Sequence, residues 1–132
     1  MPEERRPVDV ALKDLTTKSE DEQIAWWTTR LGQVADIPVA TARAGAMIPI
    51  SRELQTLPHT QRLALLRTRI LAFAKLPADQ QDKLNEARPM AFERAPDVTA
   101  AEAKFVLDQV VPTLPPELAE RVKTLLARAQ RT

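Results

Sequence analysis

Few residues of the types that carry catalysis occur in this sequence. Cysteine is absent, and His59, which directly follows Pro58, is the only histidine. Ser-His-Asp or Cys-His chemistry needs a base beside the nucleophile, and the dipole at a helix N-terminus disfavours a protonated imidazole. We therefore interpret His59 as a neutral capping or surface residue. The sequence predicts no catalytic constellation and favours a non-enzymatic role.

Motifs for metals and nucleotides are missing as well. The sequence contains no HExxH, no histidine pair and no EF-hand loop, and Gly32 and Gly45 stand outside any GxGxxG or Walker pattern. Acidic residues such as Glu20, Asp21 and Glu22 cluster in a predicted first helical turn, whereas a catalytic pair must face across a cleft. The sequence thus predicts neither a metal site nor a cofactor.

Local charge is the first feature that suggests a binding surface. Residues 57–75 contain Arg62, Arg67 and Arg69 and no acidic residue, whereas residues 1–36 carry eight acidic against five basic residues. Arg62 and Arg69 share a helix face, so a small guanidinium patch for phosphate or an acidic partner is one hypothesis. Pairing of these arginines with the acidic amino-terminal segment is the other hypothesis, and the lack of a broad basic footprint favours it.

Two adjacent tryptophans serve different faces of a predicted helix, because neighbouring residues point about 100° apart. Ile24, Trp27 and Leu31 form one apolar stripe, which assigns Trp27 to the core. Trp26 has polar helical neighbours, so we expect either another segment of the chain, with Arg30 stacked on the ring, or a partner protein to cover it. An uncovered Trp26 would anchor a protein interface.

The segment AGAMIPI strengthens the interface hypothesis. Met47, Ile48 and Ile50 surround Pro49 in a predicted loop and make it more apolar than a loop needs to be. A loop that folds back as a lid on the core is the alternative. The predicted partner-binding residues are Trp26, Arg30, Met47, Ile48 and Ile50, with Arg62, Arg67 and Arg69 as a second patch.

Composition indicates one globular domain spanning residues 1–132. Hydrophobic residues make up 44% of the chain and charged residues 28%, and the net charge is +1. The amino terminus lacks the apolar stretch of a signal peptide, and no segment has the apolar length of a membrane span. We therefore expect a soluble cytoplasmic protein without membrane contact.

Helical spacing of apolar residues predicts an all-α fold, a compact bundle of about six to eight short helices with roughly antiparallel neighbours. Residues 1–56 form its irregular part. Ser19 and Glu22 predict a capping box that opens a helix, and Gly32 predicts its end after Leu31. Further helical segments are predicted at about 7–15, at about 39–44 and, beyond a loop, from Ser51 as N-cap.

Residues 57–132 divide into four units of 19 residues, which begin at Leu57, Leu76, Ala95 and Leu114, each followed by proline. A degenerate helical repeat and coincident helix lengths would both produce this spacing. Proline is tolerated in the first turn of a helix and disruptive inside one, so each unit predicts one helix. The predicted helices cover about 58–74, 78–88 with a break at Pro89, 99–111 opened by the capping box TAAE, and 116–130.

Apolar stripes on these helices are sufficient to form a core. Because the core takes up most of the apolar residues, we expect function to reside mainly at the surface. The stripe residues are Leu63, Leu65, Leu66, Ile70 and Phe73; Phe105, Val106, Val110 and Val111; and Leu118, Val122, Leu125, Leu126 and Ala129. The sequence favours a protein-interaction or accessory subunit with an unidentified protein partner. A nucleic-acid-associated regulator that uses the basic helix 58–75 is the alternative. A further alternative is a small apolar-ligand carrier or enzyme, which would require a cavity with convergent polar groups.

Overall fold

The computed structural model describes residues 12–130, and within this range the chain forms seven α-helices and no strand. The predicted all-α bundle is confirmed. The helices are α1 Leu12–Leu15, α2 Glu20–Ala35, α3 Ala40–Leu54, α4 His59–Ala74, α5 Ala78–Arg94, α6 Pro96–Phe105 and α7 Pro116–Gln130. A π-helical turn, Val106–Val110, and a 3-10 turn, Val111–Thr113, continue α6. Residues 7–11 of the first predicted helix lie outside the described range.

The start of α2 follows the sequence prediction. The Ser19 hydroxyl accepts a hydrogen bond from the backbone N–H of Glu22 at 3.2 Å, and the Glu22 carboxylate accepts one from the backbone N–H of Ser19 at 3.0 Å. The bond from the Ser19 backbone N–H, and after it the Ser19 hydroxyl, lower the pKa of the Glu22 carboxyl below its usual value. The capping box is confirmed.

The predicted end of α2 at Leu31 is wrong, because the helix continues through Gly32 to Ala35. No glycine in the described part of the chain has a positive φ, so Gly32 does not adopt the left-handed conformation of a C-terminal cap. Val34 and Ala35 are buried and extend the inward face by one turn. Burial of this turn outweighs the weak helix propensity of glycine.

The predicted loop around Pro49 is also wrong. Helix α3 runs without interruption past Gly45 and Pro49, so Met47, Ile48 and Ile50 lie on a helix. Proline lacks an N–H and removes only one hydrogen bond of the ladder, whereas the packing of Ala44 and Leu54 in the core holds both halves of the helix. Ser51 lies inside α3 and is not an N-cap.

Proline marks the helix starts of the carboxyl-terminal half as predicted. Pro58 and Pro77 are the N-caps of α4 and α5, and Pro116 opens α7. Two details are wrong: α5 continues through Pro89 to Arg94, and α6 begins at Pro96 rather than at Thr99. The Thr99 hydroxyl donates back to the carbonyl of Ala95 at 2.9 Å and does not cap a helix.

The core lies where α2 packs along α4, with α3 packed along α5 beside it. Trp27, Leu54, Leu65, Leu66, Leu84 and Val110 are among the largest fully buried side chains. The predicted stripes are largely confirmed: Leu65, Leu66 and Phe73 are buried, as are Val106, Val110, Val111, Val122 and Ala129, and the other members pack against the core.

Candidate functional site

The structure separates the two tryptophans as the stripe predicts. Trp27 is fully buried, whereas Trp26 is partly buried and packs against the same core cluster. The two rings meet edge to face with centroids 5.0 Å apart. Arg30, one turn further along α2, is partly buried as well. Part of the Trp26 ring is therefore covered by its own chain.

Met47, Ile48 and Ile50 do not form a lid loop. All three are partly buried on α3, where Met47 and Ile50 line one interior cavity and Met47 and Ile48 line a second. In the described part of the chain only Val39 and Leu107 are large exposed hydrophobic residues. The apolar side chains predicted for a partner thus contribute to interior walls.

The three predicted arginines are engaged within the chain. Arg67 forms an ion pair with Glu20 at 2.9 Å, as expected if α4 packs beside the acidic amino-terminal segment. Arg62 donates to the carbonyls of Gln55 and Leu57, each at 3.0 Å, and its guanidinium lies over the Phe105 ring. The partners of Arg69 lie in the interior, where they form the site described next.

Four polar side chains from four helices meet inside the bundle: Ser51 of α3, Arg69 of α4, Arg88 of α5 and Glu102 of α6. We name this set the polar cluster. Nη2 of Arg69 lies 3.1 Å from Oε2 of Glu102, and their side chains are 16% and 13% exposed. The Ser51 hydroxyl donates to Oε1 of Glu102 at 3.1 Å. Glu102 is thereby held by two helices besides its own.

Arg88 differs from the other cations of the interior. Its Nε donates to Oδ1 of Asn85 at 3.1 Å and its guanidinium lies 5.1 Å from the centre of the Phe73 ring, yet it forms no ion pair within residues 12–130. Burial, followed by repulsion from Arg69, lowers the pKa of Arg88 to about 10, against the opposing attraction of Glu102. Arg88 is a cation short of anionic partners.

Arg43 provides the contrast. This arginine is buried, whereas Arg88 is only partly buried. The three nitrogen donors of Arg43 reach the carbonyls of Lys83 and Ile37 at 3.1 and 2.7 Å and the Glu86 carboxylate at 2.7 Å. Arg43 therefore ties α3 to α5 and to the preceding turn with its donors satisfied. The shortage of partners at Arg88 is therefore not shared by Arg43, the arginine that is fully enclosed in the described residues.

Two small cavities use the polar cluster as a common wall. Their volumes are about 60 Å³ and about 40 Å³. Two buried polar atoms beside them accept or donate no hydrogen bond in the described structure. They are Nε1 of Trp27 and Oε2 of Glu102, and the latter has only its ion-pair contact with Arg69. The apolar wall of the larger cavity consists of Trp27, Leu31, Val34, Ile70, Phe73 and Leu84, with Met47 and Ile50. Arg88 also borders an open groove on the outer side of α5, together with Arg128.

Sequence reasoning named only Arg69 of the polar cluster and placed it on a surface patch. Sequence spacing could have indicated that the charged members of the cluster point inward. Arg69, Arg88 and Glu102 each lie four residues after a buried apolar residue, namely Leu65, Leu84 and Val98. Charged residues at such positions fall on the inward stripe. Arg69 and Arg88 are also 19 residues apart and take the same place in the first two units.

No protein-family model matches the chain, and no curated protein or solved structure shows significant similarity to it. None of the helices in the described range has both the length and the apolar character to cross a membrane. Within the same range no group of three or more His, Cys, Asp or Glu side chains is arranged to hold a metal ion.

Proposed function

We propose that this protein binds a small polar molecule in its interior, at the polar cluster. One observation carries the proposal: Ser51, Arg69, Arg88 and Glu102, each from a different helix, converge on two cavities. Natural cores rarely place three charged groups together without pairing all of them, because an unsatisfied buried charge destabilises the fold. A ligand that supplies the missing hydrogen bonds and charge would offset this destabilisation and explain why these groups lie together.

The cavities favour a small polar ligand over the apolar cargo considered from the sequence. An apolar cavity of roughly 150 Å³ is needed to hold benzene, whereas the larger cavity has a volume of about 60 Å³. An apolar molecule would also offer no hydrogen bond to the unpaired polar atoms at the cavity wall. We therefore prefer a compact ligand with several hydrogen-bonding atoms.

The indole N–H of Trp27 is the probe for this proposal, because Trp27 lines the larger cavity and its Nε1 has no acceptor. In a nitrogen-15 NMR spectrum, Trp26→Phe identifies which of the two indole signals belongs to Trp27. We expect a subset of small polar compounds, tested at millimolar concentration, to shift the Trp27 signal and to raise the midpoint of thermal unfolding.

Arg88→Met is the matched variant, since methionine keeps most of the apolar stem and removes the guanidinium. Compounds that act in the cavity will lose their effect on the Trp27 signal in this variant. A screen of small acids, amides, alcohols and amines in which no compound moves the Trp27 signal of the wild-type chain would overturn the proposal.

Binding of a protein partner is a second candidate, supported by the partial exposure of Trp26 and Arg30 on α2. If Trp26 anchors an interface, Trp26→Ala will abolish recovery of a specific protein in an affinity pull-down while the circular dichroism spectrum stays unchanged. Thr29→Ala, an exposed position on the same helix, is the control. Unchanged recovery from the Trp26 variant would remove this residue from any interface.

The nucleic-acid hypothesis receives less support. Arg67 and Arg69 pair with Glu20 and Glu102, and Arg62 is bonded to two backbone carbonyls. Binding of phosphates by these side chains would first require loss of these contacts. Salt-dependent retention on nucleic acid, lost in the double variant Arg62→Ala with Arg69→Ala, would favour that role.

A further inference from the structure

The charge of the polar cluster points to the chemical class of its ligand. Arg69 and Arg88 are cationic and Glu102 is anionic, and Glu102 is within ion-pair distance of Arg69 only. One positive charge, on the partly buried Arg88, therefore borders both cavities without an anionic partner from residues 12–130. On the basis of the proposed function, we infer that the ligand is a small, singly charged oxyanion held between the guanidinium groups of Arg69 and Arg88.

Charge balance is the first argument for an anion. Removing an unpaired ion from water is strongly unfavourable, and an opposite charge with good hydrogen bonds offsets this penalty. A monoanion brings the charge of Arg69, Arg88, Glu102 and ligand together to zero. A neutral ligand leaves the excess charge in place, and a dianion reverses it.

Donor geometry is the second argument. Guanidinium groups present planar, forked N–H donors that match the paired oxygens of an oxyanion. Of the three Arg88 nitrogens, only Nε donates a hydrogen bond to another described residue. The two terminal nitrogens are therefore available to a ligand. The unpaired N–H of Trp27 lines the same cavity and adds a neutral donor. Glu102 is a positioning residue that orients Arg69, and Ser51 in turn orients Glu102.

Cavity size is the third argument. A cavity of roughly 150 Å³ holds the six carbon atoms of benzene, so a cavity of about 60 Å³ suits an ion with as few heavy atoms as formate or nitrate. A larger anion would have to displace the aromatic and aliphatic walls, and close packing makes such displacement unfavourable. The site therefore selects both for negative charge and for a few heavy atoms.

The experiment titrates formate, nitrate, sulfate and neutral formamide into the full-length chain, with ionic strength held constant by chloride. The readouts are the Trp27 indole signal and the unfolding midpoint. We expect saturable shifts with formate and nitrate, affinity at least tenfold weaker for sulfate, and no shift with formamide. Comparison with variants at equal salt removes the general stabilisation that sulfate gives to most proteins.

Three variants locate the bound ion. Loss of the Arg88 guanidinium in Arg88→Met should weaken formate at least tenfold. Arg128→Met removes the exposed arginine of the outer groove and should leave formate affinity unchanged. Glu102→Gln keeps the shape of the side chain and raises the positive charge of the cluster, so formate should bind more tightly by about tenfold.

The outcomes separate this inference from the proposed function. If formamide or another neutral compound shifts the Trp27 signal while formate and nitrate do not, the ligand is not an oxyanion, although the cavity still binds ligands. Equal formate affinity in wild type and Arg88→Met, or tighter binding of sulfate than of formate, overturns the inference as well. If no tested compound moves the Trp27 signal, both the inference and the proposed function fail.

Discussion

Arg88 has an environment that a purely structural side chain would avoid. Its guanidinium is bonded to Asn85 and stacked on Phe73, but it lacks a carboxylate partner among the described residues. Repulsion from Arg69 adds to the effect of burial on its pKa. A residue retained for stability alone would be expected to resemble Arg43, whose donors all find oxygen acceptors.

Arg88→Met should therefore make the ligand-free protein more stable. Replacement of buried ionic groups by apolar side chains of similar volume is often neutral or raises the free energy of unfolding by about 1–4 kcal/mol, and the partly buried Arg88 should lie at the lower end of this range. Urea unfolding in an amine buffer with chloride as the anion measures this change, and Lys83→Met, an exposed position on α5, is the control. A loss of more than about 1 kcal/mol in Arg88→Met would instead show that the cluster is a structural ion network.

At the scale of helices, the connections that precede α4 and α5 are held by the same kind of hydrogen bond. In each, a side chain from the first turn of the helix donates to backbone carbonyls that lie before its start. Arg62 reaches the carbonyls of Gln55 and Leu57 across the start of α4, and Gln81 reaches those of Ala74 and Leu76 across the start of α5. Arg62 and Gln81 are 19 residues apart. Each side chain satisfies carbonyls at the end of the preceding helix, which the following proline cannot do because it lacks an N–H.

Replacing Gly32 with alanine tests whether α2 continues through this position or ends at Leu31. The change in the free energy of unfolding has opposite signs in the two cases. In the interior of α2 a Cβ at this position would meet only the Gln80 side chain, at 3.8 Å or more, so Gly32→Ala should stabilise the protein by about 0.5–1 kcal/mol. Gly45→Ala should behave alike, because its nearest neighbour is the Arg94 side chain at 3.6 Å. Destabilisation measured in urea would indicate a left-handed residue and a helix that ends at Leu31.

The capping box of α2 predicts a pH dependence. Hydrogen bonds from Ser19 hold the pKa of Glu22 below its ordinary value of 4.5, so the unfolded chain binds more protons in this range. The stabilisation is therefore complete above about pH 4.5 and decreases as the pH falls through the folded-state pKa. Unfolding of Glu22→Ala should follow a flatter acid limb between about pH 5 and 3 than wild type, whereas Gln33→Ala, an exposed and uncharged position on the same helix, should match the wild-type slope.

Sequence patterns located the helices well where local chemistry decides the outcome. Ser19, Pro58 and Pro77 begin or precede helices because capping and fixed backbone angles act on neighbouring residues. Gly32, Pro49 and Pro89 were expected to interrupt helices, but tertiary packing on both sides keeps these helices continuous. The polar cluster escaped prediction because its members come from four helices and converge only after packing.

At the scale of the molecule, the core consists of clusters that share side chains. Leu31 packs against both the first cluster, around Trp27 and Leu65, and the second, around Val34 and Leu84. Met47 joins the second cluster to the alanine-rich contact of α3 with α5. Loss of packing in one cluster therefore weakens its neighbours, and the polar cluster lies at their junction.

Shared packing predicts that the described core unfolds in one cooperative step. Leu65 is fully buried, so Leu65→Ala should lower the free energy of unfolding by about 2–5 kcal/mol. Tryptophan fluorescence and far-ultraviolet circular dichroism should give the same loss of free energy. Leu107→Ala, on the π-helical turn and 37% exposed, should cost less than about 1 kcal/mol. Fluorescence follows α2, whereas circular dichroism follows all helices, so separate midpoints for the two probes would mean that α2 and α4 unfold independently of α5 and α7.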